Sequence, residues 1–118
     1  MIRVANIRDW RGHDVVDDRG GKIGRLEAVY VDTATDEPAF ASVTVGVPGR
    51  RRLVFVPLDG ATVAPGHVAV AYPKRLVRDA PAIDVDGELL AEQEAPLFDH
   101  YGMTYRQGAG GERRLARR

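Results

Sequence analysis

The stretch Gly20-Gly21-Lys22-Ile23-Gly24-Arg25-Leu26-Glu27-Ala28-Val29-Tyr30-Val31-Asp32 constrains the fold more than any other, because it reads as one long strand that breaks its own alternation. Ile23 and Leu26 stand three residues apart, and in a strand they share a face only if one extra residue is inserted between them. Gly24 is the candidate for that bulge, since glycine accepts left-handed backbone angles at little cost. A bulged strand bends, and bent strands let short sheets curl into barrels. Further on, Leu26, Ala28 and Tyr30 read as one face and Val29 and Val31 as the other, so both faces are apolar near the strand's end. The outer face therefore needs a cover, from the chain's own carboxyl-terminal segment or from a second subunit.

Around this strand the chain reads as a series of short strands and tight turns. Asn6 is placed to cap a helical turn over Ile7-Arg8-Asp9-Trp10, with Ile7 and Trp10 on one side as a lid on a barrel end. Asp14-Val15-Val16-Asp17 is a first strand, turning through Asp18-Arg19-Gly20-Gly21. Pro38 opens a third strand, in which Ala39, Ala41, Val43, Val45 and Val47 alternate with Phe40, Ser42, Thr44 and Gly46, placing Phe40 on the outward row. Leu53-Val54-Phe55-Val56-Pro57 is a fourth strand, apolar on both faces, and Ala61-Thr62-Val63 and His67-Val68-Ala69-Val70-Ala71 are a fifth and sixth. Strands this short, at this spacing, predict an all-β fold, a small antiparallel β-barrel of about six strands.

Beyond Tyr72-Pro73 the pattern changes. Lys74 to Asp79 reads as one helical turn with Leu76 and Val77 facing in, ended by Ala80-Pro81. Leu90 to Tyr101 reads as a helix with Leu90, Glu94, Leu97 and Tyr101 on one side and Gly102 as a left-handed cap. Pro96 in its interior would remove a hydrogen bond and clash with the preceding turn, so the helix is expected to start near Gln93 to Ala95 or to kink. The resulting division is an amino-terminal helical turn (1–11), a barrel (12–82), a helical extension packed on it (83–104) and a flexible basic tail (105–118).

Composition narrows the function. The 118 residues suit one domain, and the absence of cysteine excludes disulfides, thiolate nucleophiles and cysteine-ligated zinc. No apolar run approaches a membrane span, and charge breaks the amino terminus before a signal-like stretch develops, so the chain is expected in the cytoplasm. Seventeen basic and seventeen acidic residues cancel, which disfavours whole-molecule attraction to nucleic acid. The charge is locally uneven: Asp84, Asp86, Glu88, Glu92, Glu94 and Asp99 form a run without a base, and Arg106, Arg113, Arg114, Arg117 and Arg118 a basic end.

Taken together, Asp14-Val15-Val16-Asp17, Gly21 through Asp32 and Phe55-Val56-Pro57-Leu58, in this order and spacing, resemble the PRC-barrel family. That family includes the barrel domains of the photosynthetic reaction centre H subunit and of ribosome maturation factor M. The run from Asp79-Ala80-Pro81 through Asp84-Val85-Asp86-Gly87-Glu88-Leu89 to His100-Tyr101-Gly102 is similar to free-standing members found among actinomycetes. The resemblance spans about Gly12 to Gly102 and implies a barrel of about six strands that docks other proteins, often as a homodimer, with no catalytic residues to carry over. Pro96 departs from the pattern, since the helix in similar chains is usually continuous.

Motifs of reactive chemistry are missing. His13, His67 and His100 are scattered, without His-x-x-x-His spacing or an accompanying Glu, so no metal site is expected. Asp84-Val85-Asp86-Gly87-Glu88 lacks the later ligands of a calcium loop and reads as a turn. Ser42, the sole serine, sits mid-strand without the glycine flanks of a nucleophile elbow and is read as hydrogen-bonding across the sheet. The expectation is a non-enzymatic protein-binding module acting as a homodimer, with no cofactor. Its expected interaction surface is Tyr30, Phe40, Arg50, Arg51, Arg52, Val54 and Val56. The alternative is an RNA- or ribosome-associated protein using Arg50 to Arg52 and the basic tail.

Overall fold

The bent strand exists and is bent twice. In the computed structural model, which describes residues 9–85, 87–106 and 113–117, β2 is the 11-residue strand Lys22–Asp32. It pairs antiparallel with β1, Asp14–Val16, where Val15 faces Gly24 but Val16 faces Lys22, leaving Ile23 as an extra residue. On its other edge it pairs with β3, Pro38–Val45, where Leu26 faces Val43 but Ala28 faces Ser42, leaving Glu27 as a second. These two bulges turn Ile23, Leu26 and Val29 inward although each is three residues from the next. The expected grouping of Leu26 with Ala28 and Tyr30 is thereby corrected: Leu26 joins Val29 and Val31 inside, and Ala28 and Tyr30 lie outside.

Gly24 also needs a different explanation. Its φ is not left-handed. A Cβ on Gly24 would lie 2.1 Å from the carbonyl oxygen of Thr44 and 2.9 Å from Cγ1 of Val43. The glycine is there to let the β3 backbone come close.

The rest of the sheet runs outward from β2. β3 pairs with β4, Arg52–Pro57, and β4 with β7, Ala82–Ile83. On the far side β1 lies parallel to β6, His67–Ala69, which pairs with β5, Thr62–Ala64. The order is therefore β5-β6-β1-β2-β3-β4-β7, with β8, Leu115–Arg117, on the free half of the β2 edge. The expected closed, six-stranded antiparallel barrel is corrected in three respects. Eight strands occur among the described residues, one pairing is parallel, and no ladder joins β5 to β7. The terminal strands of two and three residues offer too few backbone groups to bridge that gap. Helix α1, Lys74–Arg78, instead packs on β2 and β4 and inserts Val77 into the interior, where Trp10 is also buried. Asn6 and Ile7 lie outside the described residues.

Helix α2, Glu94–His100, follows a 3-10 turn at Ala91–Gln93. Its late start puts Pro96 in the first turn, where the missing N–H has no intrahelical partner to lose. Gly102, at φ +69°, ends it: Gly102 N donates to Asp99 O and Met103 N to Phe98 O, the paired bonds of a Schellman cap.

The flexible tail expected from residue 105 onward is corrected at its far end. Leu115, Ala116 and Arg117 pair with Asp32, Val31 and Tyr30, while residues 107–112 and 118 lie outside the described residues. Three residues are too few to show a period, and a single apolar side chain, Leu115, anchors the strand.

Candidate docking surface

Two apolar clusters lie on either side of the β2–β3–β4 sheet. The inner one holds Val15, Ile23, Leu26, Val29, Val43, Val54, Val56 and Val68 with Trp10. The outer one gathers Ala28, Tyr30, Phe40 and Phe55 from the sheet under Leu97 and Phe98 of α2, Leu89 and Leu115. Phe40 has its ring 5.2 Å from that of Phe98, and Tyr30 meets Phe55 edge-on at the same distance.

The cover is held by a buried carboxylate. Glu94, 1% exposed, accepts the backbone N–H of Arg114 at 2.9 Å, that of Leu115 at 2.9 Å and the hydroxyl of Tyr105 at 2.7 Å. Burial, and then the bond to Glu94, pushes the Tyr105 hydroxyl up to about 12. Arg114 donates from Nε to Asp32 at 2.8 Å. Burial acts to raise the Asp32 carboxyl, but the Arg114 guanidinium and the N–H groups of Ala34 and Thr35 outweigh it and hold it below its ordinary value. His100 ties the same helix to α1 by donating from Nε2 to Leu76 O at 2.7 Å.

The expected interaction surface is therefore divided. Tyr30 and Phe40 face outward from the curled sheet, as expected, but are 4% and 0% exposed beneath the chain's own cover. Val54 and Val56 point into the interior, both 0% exposed. These four are corrected as accessible contact residues: of the two covers expected, the carboxyl-terminal segment lies over Tyr30 and Phe40, and Val54 and Val56 belong to the inner face. Arg50, Arg51 and Arg52 are exposed, yet they do not form one clamp. Arg51 lines a groove on the β2 side, whereas Arg52 donates to Arg78 O at 2.9 Å and borders a separate depression beside Asp84 and Glu88. Ser42 is buried and donates to Ala28 O at 3.4 Å, in agreement with the cross-sheet reading. No group of three or more His, Asp or Glu side chains among the described residues is arranged to hold a metal.

The groove, open to solvent and about 650 Å³ in volume, is the surface feature that sequence reasoning missed. Its rim carries Arg11, Lys22, Arg25, Arg51 and Arg78, with Glu27 as the acid among them. The bulges set this up. Ile23 and Glu27 are the extra residues, and their carbonyls accept from arginines: Arg78 Nη2 donates to the first at 3.1 Å and Arg11 Nε to the second, also at 3.1 Å. These five cations come from four separate parts of the chain, and of the run Arg50 to Arg52 only Arg51 joins them, so the sequence does not signal the set.

A family model for the PRC-barrel domain matches residues 3–77. The chain belongs to that family. The PRC-barrel match takes in β1 to β6 and most of α1, and ends before β7, α2 and β8, which cover the outer face. Within the PRC-barrel region lie both bulges and four of the five groove cations, Arg78 being the next residue after the match. No curated protein matches the chain. Among the described residues, no helix of this PRC-barrel protein is long and apolar enough to cross a membrane.

Proposed function

We propose that this PRC-barrel protein is a non-catalytic, cytoplasmic protein-docking module whose working surface is charged rather than apolar. The observation that carries the reading is the coverage of Tyr30, Phe40 and Phe55 by α2 and β8, which leaves the arginine-lined side as the outstanding surface feature. The polar groups that chemistry would need are engaged in structure: Ser42 bonds the sheet, Glu94 and Tyr105 hold the cover, and His100 links two helices. A homodimer built on Tyr30 and Phe40 requires the cover to move aside, so self-association is expected only when that segment is released. RNA docking is the weaker reading, because stacking needs aromatic rings beside the cations, and Phe40, Phe55 and Phe98 are all buried.

The test is affinity capture with cross-linking from the native cell, comparing the wild-type chain with an Arg50→Glu/Arg51→Glu/Arg52→Glu variant. A saturable protein partner retained by the wild type and lost from the variant is the expected result. Stoichiometric capture of a small-molecule ligand, followed by its turnover, would replace the docking reading with an enzymatic one.

A further inference from the structure

The arginines of the groove differ from an ordinary solvated charge run because the fold fixes some of them without neutralising them. Arg11 and Arg78 each spend one N–H on the neutral carbonyl of a bulge residue in β2, which orients the guanidinium, and neither has an ion-pair partner among the described residues. Arg25 and Arg51, on neighbouring parts of the rim, have no ion-pair partner among the described residues. Lys22 is paired with Asp14 at 3.3 Å across an exposed surface, a contact of little strength. The acid of the rim, Glu27, faces Arg117 at 3.9 Å. The result is a concave surface with oriented donors and a net positive field in a chain whose overall charge is zero.

We infer that the groove formed around the two bulges of β2 binds a carboxylate-rich segment of a partner protein, held by Arg11, Arg25, Arg51 and Arg78. This rests on the docking-module reading and names the partner's chemistry. Arginine forks match carboxylates in a bidentate way, and pre-oriented forks lose less side-chain freedom on binding than free ones. Charge complementarity selects an acidic occupant, and two observations select protein over nucleic acid. Among the described residues no aromatic ring lines the groove to stack a base, and the exposed Asp84, Glu88, Glu92 and Asp99 elsewhere on the surface oppose long-range attraction of a polyanion. A short acidic stretch feels the local groove, whereas an extended phosphate backbone meets the acids as well.

The experiment measures binding of a fluorescent poly-glutamate peptide to the full chain, with the contact surface mapped by amide chemical-shift changes. The expected result is shifts around Ile23 to Glu27 and Arg51, weaker binding with added salt, and about tenfold loss of affinity in Arg25→Glu/Arg51→Glu. Both substitutions are at exposed positions, so folding is expected to survive them, and Arg19→Glu/Arg113→Glu, off the groove, is the charge-matched control. Equal loss in the control would overturn the proposal by showing a diffuse charge effect. Displacement of the peptide by a uridine oligonucleotide at lower concentration would overturn it in favour of nucleic acid. Salt-sensitive self-association that is abolished in the groove variant, without peptide binding, would assign the groove to a second copy instead. If the groove variant still retains a partner cross-linked by the wild type, the groove assignment falls and the docking reading stands; if the wild type captures no partner, the docking reading itself falls.

Discussion

The inner and outer clusters of this protein are separated by one sheet and are built on different principles. The inner one is almost wholly aliphatic, with Trp10 as its fully buried aromatic, and the buried polar residues among the described ones, Ser42 and Glu94, bond to Ala28 and to Arg114 and Leu115 on the other side. The outer one is aromatic, with Tyr30, Phe40, Phe55 and Phe98 joined by the partly buried Tyr101 and Tyr105, and it is closed by hydrogen bonds to Glu94. Small β-branched side chains fill a tightly curved interior, where area removed from water is sufficient and many arrangements are nearly equivalent. A segment arriving from far along the chain must be held in one register. Directional bonds to a buried carboxylate achieve this, because every alternative leaves that charge unsatisfied.

The sharpest way to break the comparison is Phe40→Ala, which empties the centre of the outer cluster. The expected cost is about 3–5 kcal/mol in chemical denaturation, typical of a buried phenylalanine truncated in place. Trp10, the one tryptophan, reports the inner cluster by fluorescence while circular dichroism reports the whole. Coincident transitions would show that the clusters unfold as one unit, and separated ones that the cover melts first.

A smaller effect is expected from Glu94→Gln, which keeps the shape but replaces a two-oxygen acceptor with an amide. A loss of about 1–3 kcal/mol should appear locally, as faster amide exchange at Arg114 and Leu115. Protection at Val43 and Val54 should stay unchanged. Equal acceleration at both places would erase the distinction between a self-sufficient interior and a latched exterior.

A change of pH provides the mildest probe. The Asp32 carboxyl is held below its ordinary value in the folded state, so its contribution is complete above the unfolded value of about 4 and fades as pH falls through the folded one. Tyr105 has the opposite sign: its contribution is complete below the unfolded value of about 10 and fades as pH rises through about 12. Each is expected to loosen β8 by less than about 1 kcal/mol near a partly exposed pair, with Leu115 methyl resonances moving and the Trp10 indole resonance remaining in place.

Much of the molecule was legible residue by residue. The alternation of Ala41, Val43 and Val45 with Phe40, Ser42 and Thr44 placed β3 and both its faces, and the conflict between Ile23 and Leu26 pointed to a bulge, although the extra residue is Ile23 rather than the expected Gly24. Pro96 forced the late start of α2, and Gly102 marked its end. The second bulge, at Glu27, left no mark, because a charged residue at a strand surface looks the same with or without an extra residue. Glu94 was placed on the helix side that also carries Leu97 and Tyr101, yet its partners are backbone N–H groups 20 and 21 residues away, which no side-chain pattern announces.

Local rules therefore determined the strands, the turns and the need for something to cover Tyr30 and Phe40, since period and turn chemistry act over a few neighbouring residues. What covers them, and where the charges collect, was decided only when distant segments met. Leu115 alone cannot specify a strand until the vacant half of the β2 edge is there to receive it. Arg11, Arg25, Arg51 and Arg78 become one surface only in the folded chain, where the carbonyls of the two bulge residues of β2 orient the first and last of them. Pairing across long separations depends on loop closure and on shape, quantities that belong to the folded chain as a whole.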